Sequence, residues 1–307
     1  MGKWIPVAGP ASLRSMIDCS TSSDAPRIGA RRGRWSMGKL RPMRGCLLDV
    51  EGVLVRNKAY EPVCGAVEWM ARLGRSQMPF CLVTNNTTDT PAELLERLAA
   101  AGFDLAPENL VGALELGTEL LRARSLRRIC WLGVPRLREY WQEAGFELTG
   151  GGDCEAVVIG VNPELCIADL EDVLPAVLDR GVDVVCLHRN LFYLDALDRR
   201  RMGPGCWSAA LEALEGRGRM VIVGKPDPRI YRAALKRIGV GASDTLFISD
   251  DPVADLVTAG RLGMRTVFVL SGKHADHEIL GRMDQDDWPD VICGGLADVN
   301  LDQEDAS

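Results

Sequence analysis

The chain is 307 residues long, 47% hydrophobic and 26% charged, with 36 Lys and Arg against 43 Asp and Glu for a formal net charge of −7. That balance describes a soluble globular protein with room for two domains at roughly 100 to 200 residues each, and 32 Gly with 16 Pro are too few for a fibrous or low-complexity chain. No run approaches the ~18 consecutive apolar residues of a membrane helix, and the acidic body argues against nucleic acid as the main partner.

Residues 1–44 are a basic segment. Up to residue 45 the chain holds nine Lys and Arg against Asp18 and Asp24, so the acidic excess falls on the remainder of the chain. Pro, Gly, Ser and Arg without periodicity predict an unordered stretch, and Met37 and Met43 just ahead of the first apolar run favour a later start or a dispensable tail over a targeting leader. From Gly45 onward, short apolar runs at 46–50, 80–84, 221–224, 245–249 and 266–270 read as core strands. Helical spacing separates them at 63–73, 91–101, 229–238 and 252–262, with Thr90 before Pro91 as an N-cap followed by proline at the first helical position. This alternation predicts an α/β fold built on a parallel sheet. Residues 126–202 carry an alternation of their own and predict a second α/β unit, inserted between the two halves, 45–125 and 203–300, of the first. Residues 301–307 read as a tail.

The ten cysteines are never closer than twelve positions, Cys154 to Cys166, so no Cys-x-x-Cys pair is available for zinc or thiol redox chemistry. Cys46, Cys81, Cys130 and Cys186 sit in apolar runs and predict free buried thiols in a reducing cytoplasm. His274 and His277 flank Asp276 with no further His or Cys to complete a metal site, which reads as a solvated loop.

In an open parallel sheet, ligands bind beyond the carboxyl ends of the strands. Four apolar runs end in polar residues: Asp49 with Glu51, Thr84 with Asn85 and Asn86, Lys225, and Asp250 with Asp251 and, further on, Asp255. Carboxylates gathered in this way need a cation at neutral pH, and oxygen-only ligands point to Mg2+. Thr84 and Asn85 offer donors to phosphate oxygens, Lys225 adds a positive charge, and the assembly suits phosphoryl transfer.

The order and context of these residues resemble the haloacid dehalogenase superfamily of aspartate-nucleophile phosphatases. Asp49-Val50-Glu51-Gly52-Val53 is similar to its first motif, Leu82-Val83-Thr84-Asn85-Asn86 to its second, Val223-Gly224-Lys225-Pro226 to its third, and Ser249-Asp250-Asp251 through Asp255 to its fourth. The inserted unit and Ser271-Gly272-Lys273 resemble the NagD-like branch with a C2-type cap, and 223–235 leans toward its phospholysine phosphohistidine inorganic pyrophosphate phosphatase group. The resemblance implies a Rossmann-like core at 45–125 and 203–300 with the cap at 126–202. It also implies a cytoplasmic, Mg2+-dependent phosphatase of small phosphorylated metabolites, acting through an aspartyl-phosphate, and is compatible with a homodimer through the cap.

By the same resemblance Asp49 is the nucleophile and Glu51 the general acid and base. The metal is held by Asp49, the Glu51 carbonyl and Asp250, with Asp255 or Asp251 behind them, and phosphate meets Thr84, Asn85 and Lys225. His188, Arg189 and Asn190 take the place of a substrate-facing loop, although Arg189 has Asp195 and Asp198 as alternative partners. Most of the family has aspartate where this chain has Glu51. The alternative reading is therefore a catalytically impaired metal- and phosphate-binding protein, and Glu51→Asp is predicted to match or exceed the parent's turnover. A phosphoacceptor akin to a receiver domain is a further rival, against which the insert argues.

Overall fold

A computed structural model of the chain describes residues 43–214 and 219–300. The basic segment 1–44, apart from Met43 and Arg44, and the tail 301–307 lie outside the described residues. In chain order the elements are β1 (Gly45–Leu48), α1 (Ala66–Arg75), β2 (Phe80–Thr84), α2 (Pro91–Ala100), β3 (Leu110–Gly112), α3 (Ala113–Ala123), β4 (Arg128–Leu132), α4 (Arg138–Glu143), β5 (Glu147–Leu148), β6 (Ala156–Ile159) and α5 (Ile167–Leu174). They continue with β7 (Asp183–Cys186), β8 (Phe192–Leu194), β9 (Arg200–Met202), α6 (Pro204–Glu212), β10 (Met220–Ile222), α7 (Pro228–Ile238), β11 (Thr245–Ser249), α8 (Val257–Arg261), β12 (Arg265–Val269) and β13 (Val291–Cys293).

The first sheet runs β13-β12-β11-β1-β2-β3, with every neighbouring pair parallel. Central strands of such a sheet are covered on both faces and so read as continuous apolar runs. In β1, Cys46 and Leu48 pack with Trp69 and Leu73 of α1 and Leu94 and Leu98 of α2. Leu47 faces the opposite layer, with Ile230, Tyr231 and Ala234 of α7 and Ala259 of α8. Thr90 caps α2 as its sequence predicts, accepting from Glu93 N while the Glu93 side chain accepts from Thr90 N.

The second sheet runs β10-β7-β6-β4-β5 and is also parallel, and β8 and β9 form a separate antiparallel hairpin. The sequence places the run at 221–224 among the strands of the first sheet; Met220–Ile222 instead pairs with β7, at the edge of the second. A three-residue apolar run fits either sheet, and here the backbone of β7 supplies the partner. The second sheet packs Ile129, Trp131, Val158 and Val185 against Leu137, Trp141 and Phe146, so Trp141 is packing, with Tyr140 edge-on against it. Among the described residues, Cys46, Cys81, Cys130 and Cys186 are buried and free, and no helix is long and apolar enough to cross a membrane.

Candidate active site

Strand register decides which side chains meet. Leu48, the last residue of β1, lies beside Ile248 of β11 and Leu82 of β2, and Asp49 N donates to Ile248 O at 2.9 Å. The chain therefore leaves β1 between the ends of its two neighbours, where Asp250 follows β11 and Thr84 closes β2. Asp49 Oδ1 accepts from Val50 N at 2.8 Å and pairs with Lys225 Nζ at 2.7 Å. Lys225 is only 1% exposed and also pairs with Asp255 Oδ2 at 2.7 Å, an oxygen that accepts from Ser249 Oγ at 2.6 Å. It arrives along the edge of the second sheet, where Gly224 N donates to Leu187 O at 2.7 Å and Lys225 N to Asn85 Oδ1 at 2.8 Å. A buried ammonium is tolerated there because two carboxylates neutralise it.

Asp250 Oδ2 accepts from Lys273 N at 2.6 Å, and Asp251 Oδ2 pairs with Lys273 Nζ at 2.6 Å. Two glycines make room for Asp250. Gly52 sits at φ 86°, and a methyl group on either Gly52 or Gly272 would run into the Asp250 carboxylate. Burial pushes the Asp49 carboxyl well above the usual range; Lys225 pulls it down, while Asp255, Asp250 and Glu51 push it further up. Burial also raises Asp250, opposed by the Lys273 N–H and reinforced by Asp251 and Asp255, to about 7. Burial and neighbouring like charges raise both carboxyls, and a hard dication beside them would offset that. Among the described residues no three His, Cys, Asp or Glu side chains form a ready cage. A divalent cation can be held by one or two carboxylates, with water and substrate phosphate in its remaining positions.

Glu51 Oε1 accepts from Lys58 Nζ at 2.6 Å and Asn86 Nδ2 at 3.1 Å, and Oε2 from Thr84 Oγ1 at 3.4 Å. Burial pushes its pKa upward, but the charge and hydrogen bond of Lys58, together with a backbone hydrogen bond and the charge of Lys225, hold the carboxyl below the ordinary range. Asn86 is itself fixed, donating to Tyr60 Oη at 2.8 Å and to Asp89 Oδ2 at 3.1 Å. Buried Asp89 in turn joins Arg97 of α2, at 2.8 Å, to Arg136 beside the second sheet, at 2.5 Å.

Asn85 Nδ2 reaches Lys225 O at 3.0 Å and Asn190 Oδ1 at 3.4 Å, which ties the two units together at the cavity. His188 is 2% exposed, with Nε2 3.5 Å from Thr87 Oγ1; its Nδ1 has no hydrogen-bond partner among the described residues. Burial, then Lys58, Lys225 and Lys273, depress its pKa to about 3. Against an unfolded value of roughly 6.5, the unfolded chain binds the extra proton between these limits, so this contribution to stability is whole above about 6.5 and declines as pH falls toward 3. Urea unfolding of His188→Gln should accordingly lose less stability than the parent between pH 6.5 and 4, by up to about 1 kcal/mol for each pH unit; identical pH slopes would contradict this.

Arg189 does not join the cavity lining. It pairs with Glu212, and both side chains are about half exposed. Asp195 pairs with Arg199 and Asp198 with Arg56, so neither acid suggested by the sequence takes Arg189. Asp49, Glu51, Asn85, Lys225, Asp250, Asp251, Asp255, His188 and Asn190 all line one cleft, whose wall includes Phe192, Tyr193 and Leu194 of β8. Thr84, 1% exposed, lies behind Glu51. Lys58 and Lys273 also line the cleft and were not assigned from sequence. The Ser-Gly-Lys run after β12 was a usable signal for Lys273, whereas an isolated lysine in a loop gives none.

A family model described as haloacid dehalogenase-like hydrolase matches residues 46–147, and a HAD-hydrolase-like model matches 222–299. Chronophin from Mus musculus is 30% identical over 240 residues, covering 75% of this chain and 81% of its own. Human phospholysine phosphohistidine inorganic pyrophosphate phosphatase is 27% identical over 263 residues, covering 85% of this chain and 92% of its own. The solved structure of a p-nitrophenyl phosphatase from Archaeoglobus fulgidus superposes with a TM-score of 0.73 at 26% identity, covering 84% of this chain and 98% of that one. Motif order, strand-end geometry and these matches agree, and the chain belongs to the haloacid dehalogenase-like hydrolases.

Proposed function

We propose that the protein is a Mg2+-dependent phosphatase of small phosphorylated metabolites that works through an aspartyl-phosphate on Asp49. The observation that carries this reading is the convergence of Asp49, Asp250 and Lys225 in one cleft beyond the ends of parallel strands. The relatives named above as phosphatases support it. Residues 126–202, extended past the boundary expected from sequence by α6, which packs Leu211 against Val184 and Cys186 of β7, and by β10, serve in this reading as a cap over the site, since Asn190 and β8 supply part of the cleft wall.

Asp49, Asp250 and the Glu51 carbonyl would hold Mg2+, with Asp251 and Asp255 behind them, each already tied to a lysine. When bound, the ion neutralises phosphate charge and keeps Asp49 ionised. The Asp49 carboxylate attacks phosphorus as the bond to the leaving oxygen breaks, and the enzyme molecules in which Glu51 carries a proton deliver it to that oxygen. A water deprotonated by Glu51 then attacks phosphorus, releasing inorganic phosphate and restoring Asp49. Lys225 and Asn85 neutralise and orient the transferred group, with Thr84 behind them. His188 and Asn190 face the leaving group and bear on substrate choice.

The reading of a non-catalytic binder is less well supported, because Glu51 is held within the cleft by three side chains rather than turned away from it. Release of 4-nitrophenol from 4-nitrophenyl phosphate is the test. Turnover should require Mg2+, vanish with a chelator and return on adding the ion back. Hydrolysis indifferent to divalent ions would overturn the metal assignment, and binding without turnover would favour the binder.

A further inference from the structure

We propose that Lys58 is a positioning residue that holds the carboxylate of Glu51 for proton transfer, compensating for the extra methylene this chain carries two residues after Asp49. The inference rests on the phosphatase reading above. Glutamate has one more rotatable bond than aspartate and places its carboxyl about 1.5 Å further out, in a setting where displacements of roughly 1 Å matter. The longer side chain therefore needs restraint that aspartate would not.

The loop after Glu51 supplies it. Gly52 N donates to Val55 O at 2.6 Å and Val63 N to Leu54 O at 2.9 Å, folding residues 52–63 back on themselves. Arg56 N donates to Glu61 O at 2.8 Å and Ala59 N to Asn57 Oδ1 at 2.7 Å, and this turn brings Lys58 over the cleft. Its Nζ lies 2.6 Å from Glu51 Oε1, with the two side chains 19% and 24% exposed. The other two lysines lining the cleft are committed elsewhere, Lys225 to Asp49 and Asp255 and Lys273 to Asp251. Lys58 and Asn86 both donate to Oε1, and Thr84 donates to Oε2. These three contacts confine the carboxylate to one rotamer before substrate arrives, lowering the entropy lost in the transition state. An aspartate at position 51 would fall short of Lys58, which reverses the expectation from sequence that Glu51→Asp preserves turnover.

Leaving-group chemistry separates positioning of the acid from general structural support. 4-Nitrophenolate departs without protonation, whereas an alkoxide needs the acid. The value of kcat/KM reports phosphoryl transfer to Asp49 alone. With each variant compared at its own pH optimum, so that the lost charge does not alter the fraction of Glu51 that carries a proton, Lys58→Met should lower kcat/KM for an alkyl phosphate such as 2-phosphoethanol by about 10- to 100-fold and for 4-nitrophenyl phosphate by less than about threefold. Lys58→Arg should recover most of the loss. Glu51→Asp should show the same leaving-group pattern, and adding Lys58→Met to it should cost little more. Equal losses with both esters, or full additivity of the two substitutions, would overturn the role of Lys58 while leaving the phosphatase reading intact. A parent protein that hydrolyses neither ester would overturn that reading, and this inference with it.

Discussion

Asp49→Asn is expected to abolish turnover of phosphate esters, lowering kcat on the order of 10⁴-fold or more, while leaving the metal-free protein as stable as the parent or more so. The two effects share a cause. Asp49 is buried among Asp250, Asp255 and Glu51, and burial with these like charges drives its pKa up despite Lys225. An amide at that position removes one negative charge from the cluster, and Lys225 keeps Asp255 as its partner. Active-site carboxylates that repel one another commonly trade stability for chemistry. Thermal melts in chelator, paired with steady-state kinetics in Mg2+, check both halves. Retained turnover, or a clear loss of stability, would contradict the assignment.

Lys225→Met should have the largest effect on stability. The side chain is 2% exposed and bridges Asp49 and Asp255 at 2.7 Å each. Removing its charge leaves two buried carboxylates facing Asp250 without a counter-ion, and breaking a buried pair in this way costs about 3 to 5 kcal/mol. The expected result is a lower midpoint of urea unfolding and no measurable turnover. Adding Asp49→Asn to the same chain should recover part of the lost stability but none of the activity, because it removes one stranded charge. A Lys225→Met protein as stable as the parent would mean that the lysine does not neutralise this cluster.

Much of this arrangement was legible in the sequence for a simple physical reason. Strands covered on both faces are short and wholly apolar, so the first polar residue after each marks where the sheet ends. Asp49, Thr84 and Asp250 stand at such points, and parallel register brings the ends of β2, β1 and β11 side by side. Lys225 was legible as a residue but not in its setting. It follows β10 of the second sheet, and three apolar residues carry no information about which sheet they join. Edge strands β3 and β13, three residues each, were too short to register as elements.

Contacts between charged side chains were the least legible. Asp195 and Asp198 lie near Arg189 in sequence, yet Arg189 pairs with Glu212, a residue of α6, 23 positions away. Asp89, buried between Arg97 and Arg136, looks in sequence like any loop acid. Lys58 likewise gains its place only when the loop folds back over Glu51.

The central claim is that the Asp49 carboxylate forms a bond to phosphorus. Acid-quenching the enzyme during turnover and reducing it with borohydride converts an aspartyl-phosphate to homoserine, which peptide mass spectrometry locates. Homoserine at position 49, formed only with substrate and Mg2+, is the expected result. Sustained phosphate release with residue 49 unmodified, or with the label on another side chain, would contradict the account.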